Sequence, residues 1–250
     1  MPRPYGLACA GGVLSAEHLG TVAVIVIVVT VLVAAARLRP GPWTVTAART
    51  LALILIADEV AWWIDLVVSH ANKADLLYAL PFQLCDAAIF ICAFALLTRK
   101  QLLIEVAYFW GLAGTIQGLI TPDLPAHFPS FLFIQYNVAH GGVVAAALFL
   151  VVGLNHWPRP RAVLYVFGVT VAYAAFVGFL DAVTGADYLY LRAKPGSHTL
   201  LDVMGPWPWY IGAATLVAIA FFLVLDAPFQ ILRRSRRPTG ASTPSQNPSA

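Results

Sequence analysis

Charge is scarce in this sequence. Of its 250 residues, 11% are Asp, Glu, Lys or Arg and 60% are hydrophobic, where soluble domains carry about 25% and about 45–50%. Too few polar side chains remain to cover a water-soluble globule of this size, which excludes a soluble enzyme fold. A bundle whose outer surface faces lipid needs few of them, and the mean hydropathy of +0.79 agrees. Cysteine is sparse as well: Cys9, Cys85 and Cys92 make no disulfide framework. On one helix Cys85 and Cys92 would stand about 10 Å apart, beyond the roughly 7 Å a disulfide spans. The histidines form no H-x-x-x-H pair and the cysteines no C-x-x-C, so no metal or other cofactor is expected. The net charge is only +3, too small to suggest nucleic acid as a partner.

What the chain has instead is long apolar runs. Seven stretches, roughly 17–36, 46–69, 80–98, 101–120, 131–153, 161–181 and 207–228, approach the ~20 residues a membrane-crossing helix requires. They predict an all-α membrane protein, a seven-transmembrane-helix bundle over residues 16–232. A short lead-in, 1–15, precedes it. A tail, 233–250, follows, first basic and then Pro/Ser-rich, and reads as disordered. The first apolar run exceeds the ~7–15 residues of a signal core and lacks basic residues immediately before it, so it reads as a span.

Lysine and arginine set the expected orientation. Eleven of them, Arg37, Arg39, Arg49, Arg99, Lys100, Arg159, Arg161, Arg233, Arg234, Arg236 and Arg237, fall on one side of the seven spans. Four, Arg3, Lys73, Arg192 and Lys194, fall on the other. The N-terminus is therefore expected outside and the C-terminus in the cytoplasm.

With that topology the ionisable residues gather in the outer half. Cys85 and Asp86 lie about two turns inside the third span, and His140 about 13 Å deep in the fifth at ~1.5 Å per residue. Asp58 and Glu59 fall near mid-membrane and Asp65 near the outer end of the second span. Asp58, Trp62 and Asp65 share one helix face. Ionisable groups at such depth cost a few kcal/mol and usually face a cavity or a partner. Cys92 reads as a small buried hydrophobe. Cys85, near a helix N-terminus, sits where backbone amides favour a thiolate. His140 can serve as a general base or be satisfied by a carboxylate, and either Asp86 or Asp65 can orient it. Gln117 and Asn137 are candidate oxyanion donors. His18, Asp123, Tyr190, Lys194, Asp202, Trp207 and Trp209 are expected to line the outer side of a pocket, with the run 205–210 as an aromatic anchor or roof.

The segments Glu17-His18-Leu19, Leu80 through Asp86, Tyr108 through Gly114 with Gln117 and Thr121-Pro122-Asp123, and Ala139-His140-Gly141 form a pattern. It continues with Asp187 through Leu191, Lys194-Pro195, Leu200-Leu201-Asp202 and Gly205 through Tyr210. Taken together the chain resembles the YwaF-like integral membrane proteins of bacteria over about residues 15–230, departing at Gln83, where many relatives carry His. That resemblance implies a bacterial plasma-membrane location. It also implies a distant similarity to a eukaryotic transmembrane enzyme that moves fatty acyl chains onto lysophospholipids through a Cys–His pair. The pair would correspond to Cys85 and His140, with membrane lipids as substrates. Three readings stand: a Cys–His lipid acyltransferase or ester hydrolase, a proton- or cation-coupled transporter using the intramembrane carboxylates, and a non-enzymatic scaffold. The oligomeric state is open.

Overall fold

The computed structural model of the chain describes residues 15–69, 77, 80–120, 122, 124, 126–194 and 200–235, and every regular element among them is helical. Seven principal helices follow one another: α1 (Ala16–Leu38), α2 (Trp43–Val68), α3 (Leu84–Thr98), α4 (Gln101–Ile120), α5 (Phe131–Gly153), α6 (Ala162–Thr184) and α7 (Trp209–Ser235). The expected lead-in up to residue 14, the tail beyond residue 235 and Asp123 lie outside the described residues.

Five of these helices, α1, α4, α5, α6 and α7, are long and apolar enough to cross a membrane. The other two expected spans are helical but fall short of that description, each for its own reason. α2 carries Arg49, Asp58, Glu59 and Asp65 within its 26 residues. α3 has 15 residues, about 22 Å at 1.5 Å per residue, against a hydrocarbon core of about 30 Å.

Helix boundaries follow local chemistry. Ser15 caps α1 by accepting from the His18 amide, with Glu17 in the first turn complementing the dipole. Ser130 caps α5 by accepting from the Phe133 amide. α6 stops at Gly185, whose φ of 79° is left-handed backbone that glycine adopts without steric cost.

The interior is built on α4 and α5, most of whose apolar length is buried, whereas α1, α6 and α7 expose most of theirs. Val24, Ile27, Leu53, Leu164, Phe179 and Leu216 are exposed, a belt that suits lipid and would be an association hazard in water. In lipid, apolar burial does not drive helices together; close packing does, and small residues permit it. The core accordingly contains Ala88, Ala93, Ala95, Ala107 and Ala146. A Cβ at Gly111 would stand 3.0 Å from Val143, and one at Gly142 would stand 2.8 Å from Leu55, so α4 meets α5, and α5 meets α2, at near-minimal separation.

α4 is not uniform. Between Gly111 and Thr115 it widens into a π-helical turn before resuming as Ile116–Ile120. Such turns occur mostly as single insertions in α-helices and often at functional sites. This one faces both α3 and α5.

Candidate functional site

The π turn of α4 is where the two principal sequence candidates meet the same element. Thr115, its last residue, is buried, with its hydroxyl beside the Cys85 thiol at the start of α3. That oxygen makes no hydrogen bond of good geometry among the described residues. Gly118, three residues on, abuts His140 of α5: a Cβ there would lie 2.7 Å from the imidazole Cδ2 and 2.8 Å from Nε2. Cys85 and His140 therefore both lie against α4, beside residues three apart in the chain. Both are half-buried.

His140 is held from two sides. Its Nδ1 lies 2.8 Å from the Tyr136 carbonyl oxygen. A carbonyl only accepts, so Nδ1 donates, and in the neutral ring Nε2 keeps the lone pair. Nε2 makes no hydrogen bond among the described residues. The Tyr136 ring stacks on the imidazole at 4.0 Å, and its hydroxyl donates to the Gly118 carbonyl at 2.8 Å. Backbone orients His140 at Nδ1, where the sequence suggested Asp65 or Asp86. The Asp65 carbonyl accepts from Ser69 near the end of α2.

Cys85 sits in the first turn of α3, whose N-cap is Gln83. The Gln83 side chain makes no capping bond because its Oε1 accepts from the Leu189 amide at 3.1 Å. The first-turn amides of α3 are thus left uncapped by that side chain, and helix geometry gives such amides no intrahelical acceptor. Asp86 follows directly and lies within electrostatic range of Glu59 of α2. Glu59 is buried, and Asp58 accepts from Gln135 of α5 at 3.1 Å. Five helices, α2 to α6, so bring polar groups to this region, with Tyr173 of α6 donating to the Phe82 carbonyl at 3.0 Å.

The segment joining α6 to α7 lies against the start of α3. Asp181 accepts from the Tyr188 amide at 3.0 Å, and the Tyr188 hydroxyl donates to the Leu77 carbonyl. Asp187 accepts from the amides of Arg192 at 2.8 Å and Ala193 at 3.1 Å. Leu189 and Tyr190 have φ values of 55°, unusual for residues with side chains. Tyr190 accepts through its carbonyl from the Tyr210 hydroxyl at 2.5 Å.

The remaining candidates are spread more widely. Asn137 is half-buried and donates to the Phe133 carbonyl at 2.9 Å, while Gln117 is exposed. His18 lines a small cleft with Glu17, His127 and Asn137, where Glu17 pairs with His127 at 3.0 Å. Lys194 reaches the Asp202 carbonyl at 3.4 Å and lies over the Tyr210 ring. Trp207 donates to the Leu191 carbonyl at 3.0 Å. Trp207 and Trp209 are exposed at 61% and 75%. Cys92 is fully buried in the apolar core, its thiol 3.9 Å from the Val143 carbonyl. Sequence reasoning missed Tyr136 and Thr115. It also missed Gly118, although the ladder Gly111, Gly114, Gly118 is the small-residue signal that marks a close helix approach.

Comparison with known proteins matches one family model, described as the TMEM164 family, over residues 13–226. An uncharacterized protein of Treponema pallidum (strain Nichols) is 26% identical over 158 residues, 63% of this chain. The chain spans about 65% of that relative's length. No solved structure matches. These matches do not name the YwaF-like group.

Proposed function

The chain belongs to the TMEM164 family, and from that premise we propose that this multi-pass helical membrane protein transfers or hydrolyses lipid acyl groups through Cys85 and His140. The observation that carries the reading is the lone pair left on His140 Nε2 by the Nδ1–Tyr136 hydrogen bond. That nitrogen borders Gly118, one turn along α4 from the residue that faces the Cys85 thiol.

The chemistry runs in two balanced halves. As Cys85 Sγ attacks the ester carbonyl of a phospholipid, its proton passes to Nε2. The tetrahedral intermediate collapses with cleavage of the ester C–O bond, and the leaving alkoxide takes the proton back from His140. The product is a lysolipid and an acyl-thioester on Cys85. A lysolipid hydroxyl, or water, then gives its proton to His140 and attacks the thioester. The C–S bond breaks, and Sγ is reprotonated from the imidazolium. The uncapped amides at the start of α3 are suited to hold the oxyanion in both halves. Asn137 supplies a further amide.

In the full reading, α2 and α3 also cross the bilayer, giving seven spans with the N-terminus outside. The site then opens in the outer half of a bacterial plasma membrane, and the kinship is to YwaF-like proteins. α2 turns Glu59 inward while leaving Leu53, Ile64 and Val67 exposed, as suits a helix with one face to the bundle and one to lipid.

Reconstitution of the full chain into liposomes of diacyl phospholipid, with a fluorescent lysophospholipid as acceptor, tests the proposal. The wild type should acylate the acceptor or release fatty acid, and Cys85→Ala and His140→Ala should each lower that rate by at least about 100-fold. An unchanged rate in Cys85→Ala overturns it.

A further inference from the structure

At the end of the bundle where the arginines gather, a groove of about 680 Å³ separates α6 from α7, within the ~300–1,000 Å³ range of ligand sites. Its lining is graded along α7. Ile219 and Leu223 give way to Asp226, Gln230, Arg233 and Arg234, positions spaced so that they lie on one face. Across the groove, α6 contributes Leu164 and Phe167 beside the apolar part, and Arg161, the residue just before the helix, beside the charged part. Leu164 and Leu223 are also members of the exposed apolar surface, so the groove opens onto the flank that faces lipid.

The charged end has unmet bonding capacity. Arg233 is engaged, donating to the Pro158 carbonyl and standing 3.7 Å from Asp226 Oδ1. Arg161 and Arg234 are exposed and have no partner among the described residues. Arg161 is held in left-handed backbone, φ 68°, a conformation disfavoured for a residue with a Cβ. It is the N-cap of α6 and makes no side-chain capping bond, so the positive end of that helix adds to the field. Asp226 is only 2% exposed. Its Oδ2 accepts from Gln230 at 2.8 Å, while its Oδ1 has no hydrogen bond among the described residues.

We propose that this groove binds an anionic glycerophospholipid, for which phosphatidylglycerol is the probe. The phosphodiester pairs with Arg161 and Arg234. An acyl chain lies along Leu164, Phe167, Ile219 and Leu223. The excess of arginine over carboxylate in the lining favours a net-negative headgroup over a zwitterionic one. The apolar continuation and lateral opening distinguish a bilayer lipid from a free anion. The site is separate from Cys85 and does not depend on catalysis there.

The test is native mass spectrometry of the full chain, titrated with phosphatidylglycerol and phosphatidylcholine of identical acyl chains. Phosphatidylglycerol should bind at least tenfold more tightly. The double variant Arg161→Ala/Arg234→Ala should lose that preference, whereas Arg99→Ala/Lys100→Ala, which removes equal charge elsewhere, should keep it. Phe167→Trp, which fills the apolar part without changing charge, should weaken phosphatidylglycerol at least tenfold and covers the case in which the arginine variant fails to fold. Equal binding of the two lipids, equal loss in both double variants, or undiminished binding by Phe167→Trp overturns the proposal.

Discussion

The ring of Tyr136 lies flat on the imidazole of His140, with centroids 4.0 Å apart and planes 24° apart, while its own backbone carbonyl takes the His140 Nδ1 hydrogen at 2.8 Å. One residue thus sets both the plane and the tautomer of the histidine. The Tyr136 hydroxyl is anchored in turn on the Gly118 carbonyl of α4, which ties the imidazole to the helix that Cys85 also approaches. An imidazole locked this way needs no carboxylate behind it, a departure from triads in which an acid performs that task.

Gly118→Ala should separate activity from folding. The new Cβ would meet His140 at 2.7 Å and the Tyr136 hydroxyl at 3.0 Å, so the imidazole must move. Alanine meanwhile improves helix propensity by about 1 kcal/mol. Acyl-transfer rate should fall by about 100-fold, the scale of a 1 Å misplacement, with circular dichroism and detergent stability unchanged. Rate and stability falling together would indicate a packing defect instead.

Arg159→Ala should destabilise the opposite end of the bundle. Glu105 is fully buried and receives Arg159 Nε at 3.0 Å, its Nη2 at 2.8 Å and its backbone amide at 2.7 Å. Removing the guanidinium leaves a buried carboxylate without its cation. The cost should be about 3 kcal/mol, at the low end for such pairs because Arg159 is itself half exposed. Thermal unfolding in detergent should show a lowered midpoint, and Glu105→Gln/Arg159→Ala should recover part of the loss.

Asp187→Ala should loosen the segment over the start of α3. Its carboxylate accepts the Arg192 and Ala193 amides, bonds to a charged group worth about 2 kcal/mol each before solvent exposure reduces them. Hydrogen exchange at Arg192 and Ala193, and at Leu189 where it meets Gln83, should accelerate at least tenfold. Exchange in α5 should stay unchanged.

Acid should weaken the 154–161 connection. Burial first, and then the nearby Arg99 charge, hold His156 below the ordinary histidine range. A base whose folded pKa is depressed contributes stability above its unfolded value of about 6.5 and loses that contribution as pH falls through the folded value. Melting temperature should drop on acidification below about pH 6.5, and His156→Gln should flatten that part of the profile.

Much of the helix layout was legible because apolar run length is a local property: each of the seven stretches lies within or across one of α1 to α7. Cys85 and His140 stood out in the sequence because a thiol and an imidazole are uncommon in long apolar runs, and both lie against α4. The π turn at Gly111–Thr115 was not, since inserting one residue into a helical repeat leaves no compositional trace. The partner of His140 escaped for a different reason. Residue types advertise carboxylates such as Asp65 and Asp86, whereas the group at Nδ1 is a backbone carbonyl that every residue possesses. Glu105 and Arg159, 54 residues apart, could not be paired before the fold brought α4 against the α5–α6 connection. Span number depends on more than apolar count, as the charged residues of α2 and the shortness of α3 make plain.

The most direct measurement is the mass of the protein itself. The full chain, incubated in diacyl phospholipid and quenched with acid, should carry one acyl chain by intact mass spectrometry, released by hydroxylamine and mapped to the peptide containing Cys85. Cys92→Ser should retain it, and His140→Ala should accumulate it far more slowly. An unmodified wild type that retains its helical spectrum, or an adduct that maps to Cys92, would contradict the account.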